Sequence, residues 1–318
     1  MARAQGARAQ MALGFESVYG TPPASGDFWR MPFASSSLGS EQPLLSSELL
    51  GYGRDPLPPV KDAITAEGDV VIPIDARFFG VWLKAIFGAP TTADASGVYT
   101  HTFASGAWAL PSFSAEIGMP EVPYFAMNKG CVANSISWTM NRSGLITATV
   151  NVRAQGETQG TVSTAGALTE MALLRYGAFN GEVRRNGTLL GNITSAEITY
   201  SNNLDPIETI RSDGMIDGAD PAVAALTGTM NVRFADTTLV TQATSGDPCE
   251  LSFSYGTDAD HKFTLTAHAV YLPKAKIALE GPAGVQTSFA WQAAKAAGAP
   301  NRMCTATLIN DVASYDNP

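Results

Sequence analysis

The sequence predicts a mainly β chain built from two copies of one unit. Three observations carry this: period-two alternation in many segments, one amphipathic helix, and an internal repeat. Of 318 residues, 45% are hydrophobic and 15% charged, which supplies ample apolar surface for buried cores and excludes wholesale disorder. Alternation runs through residues 135–140 and 147–153, with Ser143-Gly144 as the turn between them. Residues 195–200, 250–255, 262–270 and 305–309 follow the same rule, and Asn186-Gly187 marks a two-residue hairpin turn.

The helix is expected just after Asp75, its N-cap. Phe78, Val81, Trp82, Ala85 and Ile86 then form one apolar stripe. Gly88 and Pro90 end it, the first by admitting a left-handed residue and the second by blocking continuation. Such a stripe reads as a helix packed on a sheet.

The repeat aligns residues 66–74, AEGDVVIPI, with 226–234, LTGTMNVRF. Gly68 matches Gly228, and the triplet Val70, Ile72, Ile74 matches Met230, Val232, Phe234. Each strand leads into an Asp cap, Asp75 or Asp236. Each cap leads into a helix-like segment closed by Gly88-Ala89-Pro90 or Gly246-Asp247-Pro248. Two further matches set Gly53-Arg54-Asp55-Pro56 against Gly218-Ala219-Asp220-Pro221, and residues 147–150 against 305–308. Four collinear matches at offsets of 158–165 residues predict a duplication: a first domain at 1–158, a linker rich in Gly, Ser and Thr at 159–169, and a second domain at 170–318.

Composition narrows the function. Lys+Arg 20 against Asp+Glu 29 leaves a net charge of −9, which argues against gripping nucleic acid through its phosphates. Cys131, Cys249 and Cys304 are too few and too scattered for a disulfide framework, and read as free thiols of a chain folding in a reducing cytoplasm. The basic N-terminal stretch lacks the apolar core of a signal peptide. No run of 18 apolar residues occurs, so neither export nor membrane insertion is expected. His101, His261 and His268 lack metal-ligand spacing, and there is no nucleophile elbow or phosphate-cradling glycine loop. The acidic stretch 213–220 lacks the terminal Glu of a calcium loop and reads as a solvated loop. Residues 258–261 read as a hairpin tip. No catalytic, cofactor-binding or metal-binding residues are expected, and no enzyme.

Assembly is better signposted. Residues 35–60 form a long segment without regular pattern that carries Leu44, Leu45, Leu49, Leu50, Tyr52 and Leu57. Long loops in compact domains are usually functional, and this apolar load suits an arm buried against a neighbouring subunit.

The N-terminal residues carry a resemblance. Leu13-Gly14-Phe15-Glu16-Ser17-Val18-Tyr19-Gly20-Thr21-Pro22-Pro23 is followed by Phe28-Trp29-Arg30-Met31-Pro32-Phe33, then by Leu38-Gly39-Ser40-Glu41-Gln42-Pro43-Leu44 and Leu49-Leu50-Gly51-Tyr52-Gly53-Arg54-Asp55-Pro56. This order resembles the tail tube (major tail) proteins of long-tailed, non-contractile bacteriophages. The resemblance implies two tandem β-sandwich domains, each with one flanking helix and a long loop, in which three subunits supply six tube domains. It implies a structural, non-enzymatic subunit of the virion tail, assembled in the host cytoplasm as trimeric rings stacked along the tail axis. It also implies a tape measure protein and tail-terminator or distal tail proteins as partners, and double-stranded DNA that passes through during ejection without specific binding. An acidic lumen would repel phosphates. The alternative is a β-sandwich adhesion or baseplate module, with a hydrolase assembled from scattered residues a distant third. Whether the strands at 70–74 and 230–234 line the lumen, exposing Asp69, Val71 and Pro73 in the first copy and Thr229, Asn231 and Arg233 in the second, or lie in an outer sheet with their charges toward solvent stays open at this stage, with the outer sheet preferred.

Overall fold

The computed structural model describes residues 3–277, 279, 281 and 284–318. In chain order its principal elements are β1 (Gln10–Phe15), β2 (Thr65–Pro73), α1 (Phe79–Phe87), β3 (Thr91–Ala95), β4 (Val98–Ala104), β5 (Phe113–Met119), β6 (Tyr124–Asn141), β7 (Thr147–Ala154) and β8 (Gly156–Gly160). There follow β9 (Gly181–Arg185), β10 (Ile193–Ser201), β11 (Ala225–Arg233), α2 (Thr238–Ser245), β12 (Cys249–Gly256), β13 (Lys262–Tyr271), β14 (Gln286–Ala294) and β15 (Cys304–Asn310). The fold is mainly β and antiparallel, as the alternation predicts.

The strands fall into three runs. One runs β2-β7-β6-β10-β11-β14, with the short strands Ser35–Ser36 and Gly39–Glu41 on the outer edge of β2. A second runs β9-β12-β13-β15-β4-β3. A third, β1-β5-β6-β8, uses the N-terminal half of β6. Strand β6 is long enough to serve both the first and third runs. A bulge between Ala133 and Ser135 shifts its register where it passes from one to the other.

Pairing in the first half recurs in the second. Ser35↔Val71, Ser36↔Val70, Gly39↔Glu67, Ser40↔Ala66 and Glu41↔Thr65 are repeated 160 positions on as Ser195↔Asn231, Ala196↔Met230, Thr199↔Thr227, Tyr200↔Leu226 and Ser201↔Ala225. Even a bulge is repeated: pairs Phe113↔Cys131 and Ala115↔Asn128 bracket one, and Cys249↔Val270 and Leu251↔Ala267 bracket the other. Gly68 and Gly228 occupy the same place in these registers. A Cβ on Gly68 would overlap the backbone at Ser37 and Leu38, and one on Gly228 the Glu197 carbonyl and the Trp291 ring.

Two proposed sequence matches are not matched by strand pairing. β15, containing residues 305–308, pairs with β13 and β4, whereas β7 pairs with β2 and β6. The partner of β11 that corresponds to β7 is β14. Thr-Ala-Thr alternation fits any half-buried strand, so it does not identify one. Likewise Gly53 to Pro56 lie in an irregular loop, whereas Gly218–Pro221 is a paired strand. The stretch 159–169, expected as a linker, is tied down: Ser163, Thr164 and Ala165 converge on buried Glu116, and Ala165 packs with Ala12, Phe28 and Met127. Its small hydroxyl residues satisfy a buried carboxylate rather than conferring flexibility.

The helix lies inside the core. Phe79 meets Phe263 edge-on at 4.9 Å, Trp82 meets Phe113 at 5.9 Å, and Phe87 meets Tyr200 at 4.5 Å. Buried on nearly every side, α1 packs on more than the single stripe read from sequence, with Phe79, Leu83 and Phe87 also inside. Asp75 Oδ1 accepts from the backbone N–H of Arg77 and Phe78, both at 2.8 Å, one turn before the helix proper. Gly88 closes it at φ +92°. The C-terminal residues then return to the first half. Arg77 grips Asp311 with two hydrogen bonds of 2.8 and 2.7 Å, Lys84 holds Asp316 at 2.8 Å, and Asn317 exchanges hydrogen bonds with the Phe15 backbone. The Tyr315 ring seats directly on Gly80.

Candidate assembly surface

Two arms project between paired strands. The first spans residues 42–64, and its root is a ribbon pairing Leu44↔Lys61 and Leu45↔Val60. The second spans 202–224 and pairs Leu204↔Pro221 and Asp205↔Asp220, again 160 positions on. The six residues singled out from sequence all lie on the first arm. Leu44, Leu45, Leu49, Leu50 and Tyr52 are exposed, and Leu57 is half-buried. Five large apolar side chains on one irregular segment are thus left in solvent within the chain.

The second arm lies folded against the first half. The Ile64 N–H donates to the Gly214 carbonyl at 2.8 Å, the Leu204 N–H donates to Asn134 Oδ1 at 3.0 Å, and Met215 lies against Gly156. Arg211 ties its tip together, holding Asp213 at 2.8 Å and Asp217 at 2.6 Å. That guanidinium keeps the Asp213 carboxyl well below the usual carboxylate range. The acidic stretch read from sequence as solvated does expose Asp213, Asp217 and Asp220, and two of these carboxylates also form an ion-paired clip within this arm that its composition did not disclose.

The first sheet run presents one face to the core and the other to solvent. Its outward residues include Thr149, Asn151, Ser135, Ser137, Thr139, Ser195, Thr199, Thr229, Asn231, Ser288 and Gln292. Charges are sparse: Glu41, Glu67, Asp69 and Glu197 against Arg153 and Arg233. Arg153 is paired with Glu67 at 2.7 Å. Among the described residues, the outer edge of the Ser35–Glu41 segment and most of one edge of β14 carry no strand partner.

Other candidates resolve structurally. His101 is bonded to Thr92 and to the Val312 carbonyl, and burial lowers its pKa. His268 is bonded to Thr305, and His261 to Asp258 at the β12–β13 hairpin tip. Cys131, Cys249 and Cys304 are free and buried. Among the described residues no cluster of three or more His, Cys, Asp or Glu is placed to hold a metal ion, and no helix is long and apolar enough to cross a membrane.

A sequence model described as phage tail tube protein matches residues 6–293. The chain belongs to the phage tail tube family. A comparison with curated proteins returns no match. The protein is thus a structural subunit of a bacteriophage tail tube and a component of the virion tail, in a family whose members assemble with themselves and with other tail proteins. That family is a structural one and not a known enzyme family. Sequence reasoning missed the second arm and the exposed Trp108, Phe179, Ile210 and Val223. Extending the 160-residue offset upstream from Leu226 would have reached Ile210 opposite Leu50 and Leu204 opposite Leu44.

Proposed function

We propose that the chain is a tandem pair of tail tube domains, 1–158 and 170–318 joined by 159–169, and that three chains close a ring of six. The observation that carries this reading is the junction inside the chain. Strand β6 of the first half pairs with β10 of the second from Ser135↔Ser201 to Asn141↔Ser195, making one sheet of both halves. The edges left open at the two ends of that sheet suit the same side-by-side joining between chains, which removes edges by closure. Heterologous contacts of this kind generate rings when the rotation closes.

In this reading the outward face of the shared sheet lines the channel. A coat of Ser, Thr, Asn and Gln with more acids than bases offers few cations for phosphates, so duplex DNA passes without specific binding. The arm residues Leu44, Leu45, Leu49, Leu50, Tyr52 and Leu57 contact other subunits, within the ring and between rings. Rings stack along the tail around a tape measure protein and end on terminator and distal tail proteins, with assembly in the host cytoplasm and DNA ejection through the finished tube. Cryo-electron microscopy of assembled tubes tests the reading. Three chains per ring with near-sixfold cross-section is the expected image. Six full chains per ring, or two halves that fail to superpose, would overturn it.

A further inference from the structure

Within the chain, the second arm shows how an arm meets the neighbouring half. Gly214 and Met215 lie on Ala63, Ile64 and Gly156 of the first half. The strand registers locate the corresponding positions elsewhere. Ala63 and Ile64, just ahead of Thr65, correspond to Val223 and Ala224, just ahead of Ala225. Gly156 precedes Glu157, the partner of Asn128. Met303 precedes Cys304, the partner of Ala267, and Asn128 and Ala267 hold the same place after the repeated bulge. Gly214 and Met215 themselves correspond to Arg54 and Asp55 of the first arm.

Those displaced positions meet in one place. Val223, Ala224 and Met303 line a single groove of about 430 Å³, together with Trp108, Lys295 and Arg302. Val223 is 86% exposed and Trp108 89% exposed, so the groove offers a large aromatic and an aliphatic side chain to solvent. Exposed tryptophans are the side chains that most often anchor an interface. We propose that this groove receives the first arm of a second copy of the chain, seating Arg54 and Asp55 as Gly214 and Met215 are seated within the chain. Asp55 arrives at Met303, beside Arg302 and Lys295, while Arg54 arrives at Val223 and Ala224. The inference rests on the ring reading and adds to it the two surfaces that meet.

A disulfide experiment separates the two. R54C and A224C are made in different chains, mixed, assembled and oxidised. The native thiols, all buried, contribute little background. The expected result is a covalent dimer that forms only when both variants are present. W108S, at an exposed position, is expected to keep the circular dichroism of the folded subunit while raising the concentration needed for assembly at least tenfold. Normal rings without the cross-link, or W108S assembling at the native concentration, would overturn the groove assignment and leave the ring intact. Native protein that forms tubes with no closed ring of three would overturn the ring reading itself, and the assignment with it.

Discussion

Leu44 and Leu204 occupy the same position in two arms of equal length, and the first is 61% exposed while the second is 7% exposed. The difference is the neighbour. Leu204 lies against the first half, with its N–H on Asn134, whereas Leu44 has no second half beside it within one chain. Leu204→Ala is expected to cost the folded subunit about 2–4 kcal/mol, as for a buried leucine. Leu44→Ala is expected to leave subunit stability within about 0.5 kcal/mol while weakening assembly. Urea unfolding of both variants beside sedimentation of assembly mixtures checks the contrast, and equal destabilisation by the two would refute it.

Docking of the second arm leaves Ile210 fully exposed, and Leu50 at the matching position is 93% exposed. Side chains that lateral contact leaves bare are free to meet the next ring. Leu50→Asp combined with Ile210→Asp is therefore expected to permit rings but abolish their stacking. Negative-stain images of single rings without tubes would agree; unaltered tube length would count against it.

Burial lifts the Asp75 carboxyl from 3.8 to about 6, against the lowering effect of its backbone hydrogen bonds. The folded chain therefore holds this proton more tightly than the unfolded chain. Its contribution is fully present below the unfolded value and is lost as pH rises to about 6, a span worth about 3 kcal/mol. Asp75→Asn keeps an accepting oxygen for Arg77 and Phe78 and removes the titration. Urea midpoints measured from pH 4 to 7 should fall more steeply in the native protein than in this variant.

A methyl group on Gly80 would collide with the Tyr315 ring, so Gly80→Ala is expected to destabilise by about 1–3 kcal/mol and to loosen the C-terminal residues. Removing residues 311–318 deletes the partners of Arg77 and Lys84 as well, and should lower the melting temperature further. Differential scanning calorimetry of the two variants provides the check.

If the shared sheet lines the channel, its charge decides how DNA passes. Glu67→Lys, Asp69→Lys and Glu197→Lys together should convert tubes that ignore duplex DNA into tubes that bind it, with affinity falling steeply as salt is raised. Binding by the unmodified tubes at physiological salt would contradict the neutral conduit.

Local chemistry was the most legible part of the sequence. The alternating segments became strands, Asn186-Gly187 became a hairpin turn with both residues at positive φ, and Asp75 and Gly88 bracket the helix region. Non-local pairing was less legible. Strand β6 serves two sheets because a bulge redirects it, and neither its length nor its kink has a compositional signature. The β3–β4 hairpin was passed over because its exposed Thr91–Ala95 strand carries no apolar alternation. The leucine-rich arm was visible because leucine is conspicuous in a loop. The second arm was hidden because Arg211, Asp213 and Asp217 look like ordinary solvated charge until they are seen clasped together.

The two arm tips are not chemical copies. One carries Leu49, Leu50 and Tyr52; the other carries Thr209, Ile210 and Ser212 under the Arg211 clip. Around a ring of three, oily and clipped tips would alternate. Turning one ring by 60° over the next brings unlike tips into opposition, whereas 120° restores like to like. If three such chains close the ring, duplication with divergence would give the tube a rotational phase that six identical domains would lack, and would limit the angles at which a further ring can seat.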